Sequence, residues 1–332
     1  MEENNACIFE VLRMSTEDGP GIRTTVFFQQ CPLTCKWCHN PESISNKPQL
    51  QWFKHKCIGC KTCIETCQNE VLSLDKNGLQ IDREKCKSCG QCAEECPSTA
   101  LVITAKWWNL NDLFHEILKD KVYYTNSKGG ITVSGGEPTL HPHFLLRFLR
   151  MCKENGISTA LDTCGIASQK IYEKLIPYID LFLLDIKEID SQKHKIWTGV
   201  SNEKILDNAV WLSNKLNENN KNIWIRTPII PKFTATEENI KGIGDFIVQK
   251  LNNFPERWDL LAFNNLCSAK YERLGIEWIL KDETLLSKKT MDNLCQIAKT
   301  TGAKNVRWSG LTKNENTEDS IKKDNKSKLP SC

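Results

Sequence analysis

The chain predicts an α/β fold: a mostly parallel sheet built from six βα units, too few to close a full barrel, interrupted by a small cysteine-rich insert. Three observations lead there. Short β-branched runs alternate with longer segments whose apolar residues recur at helical spacing. The stretch from Trp52 to Ala105 breaks that rhythm with two self-similar cysteine units, offset from Cys57 to Cys86. Finally, 332 residues with 17 cysteines, most of them closely spaced between Cys31 and Cys96, give room for one large α/β domain and a small metal-binding one.

The predicted strands run, in order, over Thr24–Phe28, Gly130–Ser134, Ser158–Asp162, Leu181–Ile186, Asn222–Pro228 and Trp258–Phe263. Between them, Phe144, Leu145, Phe148, Leu149 and Cys152 mark one amphipathic helix. Ile171, Leu175 and Ile176 mark a second, and Ile240, Ile243, Phe246 and Ile247 a third. The chain therefore divides into the start of the barrel (1–51), the insert (52–105), the remainder of the barrel (106–310) and a tail (311–332). The tail has almost no large apolar residues, so it is expected to stay disordered.

A net charge of +3 gives no field of one sign to favour nucleic acid or a membrane surface. Met1 to Glu10 lacks a basic region followed by an apolar run, and no apolar stretch reaches the ~18 residues of a membrane span. With so many closely spaced cysteines, this composition points to a soluble protein of a reducing, oxygen-poor compartment.

Cys31-Pro-Leu-Thr-Cys35-Lys-Trp-Cys38 is a C-x3-C-x2-C run directly after a predicted strand. Three thiolates on one tight loop can hold three irons of a 4Fe–4S cube and leave the fourth open. An open iron lets the amine and carboxylate of an amino acid chelate the cluster. The alternative is a closed zinc or electron-transfer site completed by His39, although zinc sites usually pair two C-x2–4-C or H-x3–5-H half-sites.

Cys57-x2-Cys60-x2-Cys63-x3-Cys67 is repeated as Cys86-x2-Cys89-x2-Cys92-x3-Cys96-Pro97, with Gln68 where the first unit has no proline. This is the bacterial ferredoxin run, in which the fourth cysteine of each unit serves the other unit's cluster. One cluster should take Cys57, Cys60, Cys63 and Cys96, the other Cys67, Cys86, Cys89 and Cys92. Cys7, Cys152, Cys164, Cys267, Cys295 and Cys332 lack ligand spacing and read as buried or incidental thiols.

Ser134-Gly135-Gly136-Glu137-Pro138 closes a predicted strand, where glycines let backbone approach a ligand on the face at which barrel enzymes do chemistry. Alone, the motif reads as a turn. Asp162 and Asp185 end neighbouring strands and could be helix caps. As a pair, with Lys187 two residues on, they read as oxygen ligands for a cation and a cationic hand for a cofactor carboxylate.

Ser15 to Arg23 (with DGPGIR), Cys31 to Asn40, SGGEP, DTCG, LLDIK, RTPIIP and the segment Leu261 to Gly275 together resemble the glycyl-radical-enzyme activating enzymes of the radical S-adenosylmethionine superfamily. The resemblance extends nearly to Gly310. The ferredoxin units resemble the branch serving partners other than pyruvate formate-lyase. It implies a partial (βα)6 radical-SAM barrel with a ferredoxin-like insert, open at the side to a glycine-bearing loop of the partner. The implied reaction is reductive cleavage of S-adenosylmethionine to a 5′-deoxyadenosyl radical, which takes a hydrogen from that glycine.

Carried onto this sequence, the resemblance implies that Cys31, Cys35 and Cys38 bind the catalytic cluster and Trp37 lies near the adenine. Gly135, Gly136 and Glu137 would surround the methionine amine, and Lys187 would meet its carboxylate. Asp162, the Thr163 and Leu183 carbonyls and Asp185 would hold a monovalent cation. Asp18 and Arg226 fall where the family grips the substrate peptide. Asn264 stands where the family has a histidine for the cofactor ribose, and an amide can still donate and accept. Pro231-Lys232 replaces the family's proline-glycine. The implied cofactors are S-adenosylmethionine, three 4Fe–4S clusters and a monovalent cation. The implied partners are a glycyl radical enzyme and an electron donor such as flavodoxin or ferredoxin, with no nucleic acid and no membrane, for a cytoplasmic monomer. Two other readings stay open: a radical enzyme acting on a small molecule or another side chain, and an electron-transfer protein without catalysis.

Overall fold

The computed structural model describes residues 4–313. The predicted tail beyond Lys313, with Cys332, lies outside the described residues. Within them the packed chain runs past Gly310, since the Lys313 N–H donates to the Leu286 carbonyl at 3.0 Å.

Among the described residues thirteen strands form, in chain order β1 (Asn5–Ser15), β2 (Arg23–Phe28), β3 (Leu50–Trp52), β4 (Leu72–Asp75), β5 (Gly78–Ile81), β6 (Leu101–Ile103), β7 (Lys106–Asn109), β8 (Gly130–Gly135), β9 (Ser158–Thr163), β10 (Leu181–Asp185), β11 (Asn222–Ile229), β12 (Arg257–Ala262) and β13 (Val306–Ser309). Nine build the main sheet in the order β13-β12-β11-β10-β9-β8-β2-β1-β7. From β2 through β13 the neighbours are parallel, whereas β1 runs antiparallel to both β2 and β7. All six predicted strands are present. The expectation undercounts the sheet, because β1, β7 and β13 join at its edges, and β13 and β7 pair with no further strand among the described residues.

Alternation along the parallel strands divides the sheet into two unlike faces. Val26, Phe28, Ile131, Val133, Leu161, Phe182, Leu184, Ile223, Ile225 and Leu260 enter one large core. That core is closed by α1 (Pro142–Glu154), α2 (Glu203–Glu218), α3 (Glu237–Gln249) and α4 (Lys288–Thr300). The intervening positions carry Thr25, Thr132, Ser134, Asp162, Asp185 and Arg226. A polar face of this kind is where a parallel sheet can hold a charged ligand.

The DGPGIR turn feeds β2 from underneath. A Cβ on Gly21 would lie 2.5 Å from the Gly129 nitrogen, and its φ of +71° suits glycine. Arg23 is only 1 % exposed and pairs with no carboxylate among the described residues. Its guanidinium donates to Thr132 Oγ1 at 2.7 Å and to the Pro20, Ile131 and Ser158 carbonyls, and burial pushes its pKa down to about 10.

The insert leaves the main sheet between β2 and β7. It makes two ladders, β3 with β6 and β4 with β5, around Leu50, Val71, Leu72, Leu79, Cys92 and Leu101. Thr104 N–H donates to the Gln49 carbonyl at 2.8 Å where the β3–β6 ladder joins the main body. Arg83 donates to the carbonyls of Leu50 and of Arg273, the latter on the short helix Ser268–Leu274.

Candidate active site

β2 delivers the chain through Gln30, at φ +79°, into the loop Cys31–Cys38. The far wall fastens that loop by its backbone: Thr34 N–H donates to the Thr198 carbonyl at 2.8 Å and Lys36 N–H to the Trp197 carbonyl at 3.0 Å. Trp278 Nε1 donates to the Lys36 carbonyl at 2.9 Å and the Tyr271 hydroxyl to the Cys38 carbonyl at 2.8 Å. Trp37 is buried with Ile230, Phe263, Tyr271 and Trp278, its ring 5.9 Å from that of Phe233. The backbone at Thr34, Lys36 and Cys38 is thus held, and three half-buried thiols share this one loop. Burial pushes Cys31 up to about 12 and also raises Cys35 and Cys38. Such thiols lose their protons to a metal rather than to solvent. His39, the possible closing ligand, has its Nε2 3.2 Å from the Asn264 carbonyl.

Gly135 and Gly136 suture β8 to this loop. Gly136 N–H donates to the Phe28 carbonyl and Glu137 N–H to the Gln30 carbonyl, both at 2.8 Å. A Cβ on Gly136 would lie 2.1 Å from the Gln30 oxygen, and one on Gly135 2.3 Å from the Phe28 nitrogen. The Glu137 carboxylate is fully buried and accepts from Thr139, from Thr163 Oγ1 at 2.9 Å and from the Cys164 N–H at 2.8 Å. It ties the end of β8 to the end of β9.

Asp162 and Asp185 meet across Arg226, although the three residues stand far apart in sequence. Arg226 pairs with Asp162 through Nη2 and with Asp185 through Nε at 3.1 Å. Ser134 Oγ donates to Asp162 at 2.6 Å, and Lys187 Nζ lies 2.5 Å from Asp185. Burial pushes Asp162 up to about 6 despite Arg226. Burial also acts upward on Asp185, but Lys187 and Arg226 outweigh it and hold the carboxyl below its usual range. Lys187 and Arg226 are in turn raised, their burial more than offset by these carboxylates. Lys187 also feels the charge of Cys35, so this network borders the cysteine loop. Leu183 and Thr163 sit on β10 and β9 at the adjoining positions.

Asp18 lies on the same polar face, accepting from Ser15 Oγ at 2.7 Å and Thr25 Oγ1 at 2.6 Å. Asn264 uses its side-chain oxygen on the Leu266 N–H at 3.2 Å, so the residue in place of the family histidine is partly committed to its own turn. Lys232 adopts φ +65°: the backbone keeps the turn a glycine would favour, and its ammonium pairs with Glu283.

In the insert, one cavity is lined by Cys57, Cys60, Cys63 and Cys96, a second by Cys67, Cys86, Cys89 and Cys92. Each cavity is bordered by three cysteines of one unit and the fourth of the other. Four thiols around one cavity are the donor set of a 4Fe–4S cluster. Tyr271 and Lys270, which holds Glu42 at 2.7 Å and Asn40 at 2.8 Å, stand in the quoted segment Leu261 to Gly275 without an assigned role. Trp278 carried no sequence signal, since only tertiary packing brings it to Lys36.

The fold and these cysteine sets define a radical S-adenosylmethionine iron–sulfur enzyme with a dicluster insert. The Radical SAM superfamily matches residues 83–242, and the 4Fe-4S dicluster domain residues 56–100. The chain is 41% identical over 273 residues to the trans-4-hydroxy-L-proline dehydratase activating enzyme of Clostridioides difficile, covering 81% of this chain and 88% of that protein. It is 40% identical over 309 residues to the indoleacetate decarboxylase activating enzyme of Tractidigestivibacter scatoligenes, covering 90% and 96%. It is 36% identical over 299 residues to the choline trimethylamine-lyase activating enzyme of Oleidesulfovibrio alaskensis, covering 89% and 95%. The chain belongs to the glycyl-radical-enzyme activating enzymes, which use S-adenosylmethionine and iron–sulfur clusters to act on a glycyl radical enzyme. Among the described residues no helix is long and apolar enough to cross a membrane.

Proposed function

We propose that Cys31, Cys35 and Cys38 hold the catalytic 4Fe–4S cluster and that the polar ends of β8 to β11 hold S-adenosylmethionine beside it. The observation that carries this reading is a loop fastened through its Thr34, Lys36 and Cys38 peptide groups, with three half-buried thiols on it and the Lys187–Asp185 pair close to Cys35. When bound, the cluster supplies the electron that cleaves the sulfonium and so generates the radical that takes a hydrogen from the partner's glycine.

The protein's own task is placement. Gly135 and Gly136 bring backbone against the loop, and Glu137 fixes their strand, which positions the methionine amine. Lys187 offers its charge to the carboxylate. Trp37 backs the adenine side and Asn264 the ribose. Asp162, Asp185 and the Thr163 and Leu183 carbonyls supply hard oxygen donors for a monovalent cation. Asp18 and Arg226 face the glycine-bearing peptide from the same polar surface.

The insert, residues 52–105 between barrel segments 1–51 and 106–310, would hold two further clusters on its crossed cysteine sets. These receive electrons from a carrier such as flavodoxin or ferredoxin, and the enzyme works as a cytoplasmic monomer. Relatives of similar identity serve a dehydratase, a decarboxylase and a lyase, so similarity alone does not select the partner. The test is anaerobic reconstitution and reduction with S-adenosylmethionine, reading 5′-deoxyadenosine and, with candidate partners, the glycyl radical by electron paramagnetic resonance (EPR). Wild type should yield both, and Cys31→Ala neither.

A further inference from the structure

Trp52 ends β3 and borders the cavity shared by Cys57, Cys60, Cys63 and Cys96. Its indole Nε1 is sealed from solvent and has no hydrogen-bond acceptor among the described residues. Buried donors are nearly always paired, and an orphan at a metal site points to an acceptor that the metal group brings. The ring is seated with care. A Cβ on Gly78 would lie 2.2 Å from its Cη2 and 3.0 Å from its Cζ2, so the β4–β5 turn forgoes a side chain to admit it. Much of the surrounding wall is aliphatic, with Ile58, Leu74, Leu79 and Leu101. A phenylalanine would fill such a wall without burying a polar atom. Two residues earlier on the same face of β3, Leu50 borders the other four-cysteine cavity, so the two halves of the insert differ at this point.

We infer that the Trp52 indole N–H donates a hydrogen bond to a sulfur of the cluster held by Cys57, Cys60, Cys63 and Cys96, raising that cluster's reduction potential. This rests on the cysteine assignment proposed above. Reduction adds negative charge to the cluster, and a donor to its sulfurs stabilises the reduced form more than the oxidised one. An apolar wall strengthens the effect, because no solvent dipole competes.

The test uses the full chain with all its clusters, kept anaerobic. EPR-monitored redox titration compares wild type with Trp52→Phe, and pulsed EPR is run on both after labelling tryptophan with 15N in the indole. Trp52 is the one tryptophan between positions 50 and 105. The expected result is unchanged iron and sulfide, one potential shifted downward with the others unmoved, and loss of a 15N coupling that the reduced wild type shows. Unmoved potentials, or a 15N coupling that persists in Trp52→Phe, overturn the inference. Should Trp52→Phe lose iron, labelled wild type decides: a 15N coupling to a cluster that does not respond to S-adenosylmethionine supports the inference, and its absence overturns it. Iron and sulfide unchanged in Cys60→Ser would remove the cluster assignment and the inference with it. Loss of one cluster in Cys60→Ser, with no shift in Trp52→Phe, overturns the inference alone.

Discussion

The Tyr271 hydroxyl donates to the Cys38 carbonyl at 2.8 Å while its ring stacks on Trp278, 4.9 Å between centroids, and the Trp278 N–H holds the Lys36 carbonyl. Two aromatic residues from the last third of the chain therefore grip the cysteine loop near its start. Tyr271→Phe keeps the stack and removes one hydrogen bond, a loss of about 1 kcal/mol. The expected outcome is a folded protein with intact insert clusters and reduced occupancy of the catalytic cluster. Mössbauer quantitation alongside 5′-deoxyadenosine yield checks it.

Gly136→Ala should act on the same loop from the other side. Its new methyl meets the Gln30 carbonyl, which is backbone and cannot swing away. Overpacking of this kind costs about 1–3 kcal/mol, concentrated where β8 and the loop touch. The S-adenosylmethionine-responsive EPR signal is expected to disappear while the signals of the insert clusters persist. Equal loss of all signals would mean global unfolding instead.

Arg226→Gln removes the cation between two carboxylates that lie close together in a largely buried place. Breaking such a pair costs about 3–5 kcal/mol, because each charge left behind needs a partner. A monovalent ion can supply one. The melting temperature of Arg226→Gln should rise more in potassium or sodium chloride than in choline chloride of equal ionic strength, and more than in wild type. Equal response to the three salts would remove the cation site from the account.

Asp120 gives the pH dependence of the scaffold. The Arg13 hydrogen bond, with help from Thr24 at 2.8 Å and against the effect of burial, holds its carboxyl below the usual range. A folded-state pKa below the unfolded value means that the stabilisation is complete above the unfolded value, ~3.9 for an aspartate, and fades as pH falls through the folded one. Thermal melts of wild type and Asp120→Asn should therefore differ most near neutrality and converge below about pH 4. A constant gap down to pH 3 would contradict this origin.

Local regularity decided what the sequence could reveal. The central strands alternate or run apolar between turns, and each appears in the structure to within about two residues. β1 escaped because its outer half is exposed on both faces, and β7 and β13 because four residues carry too little pattern. The grouping of Cys57, Cys60, Cys63 and Cys96 around one cavity and of Cys67, Cys86, Cys89 and Cys92 around another follows fixed spacing, which a sequence displays directly. The joining of Asp162, Asp185 and Arg226 was only partly so: the motifs named each residue, but the ion pairs depend on parallel register between β9, β10 and β11. Glu137 shows the remaining gap. Its place in the motif suggested a ligand contact, whereas the hydroxyls and N–H groups that hold it come from Thr139, Thr163 and Cys164, the latter two brought near only by folding.

The central claim is that Cys31, Cys35 and Cys38 carry the cluster that cleaves S-adenosylmethionine. Its most direct test is anaerobic single-turnover formation of 5′-deoxyadenosine by fully metallated, reduced wild type and by Cys31→Ala, Cys35→Ala and Cys38→Ala, with insert clusters confirmed in each. Wild type should form the product and the three variants none. Product from any of them, or a silent wild type with all clusters present, would contradict it.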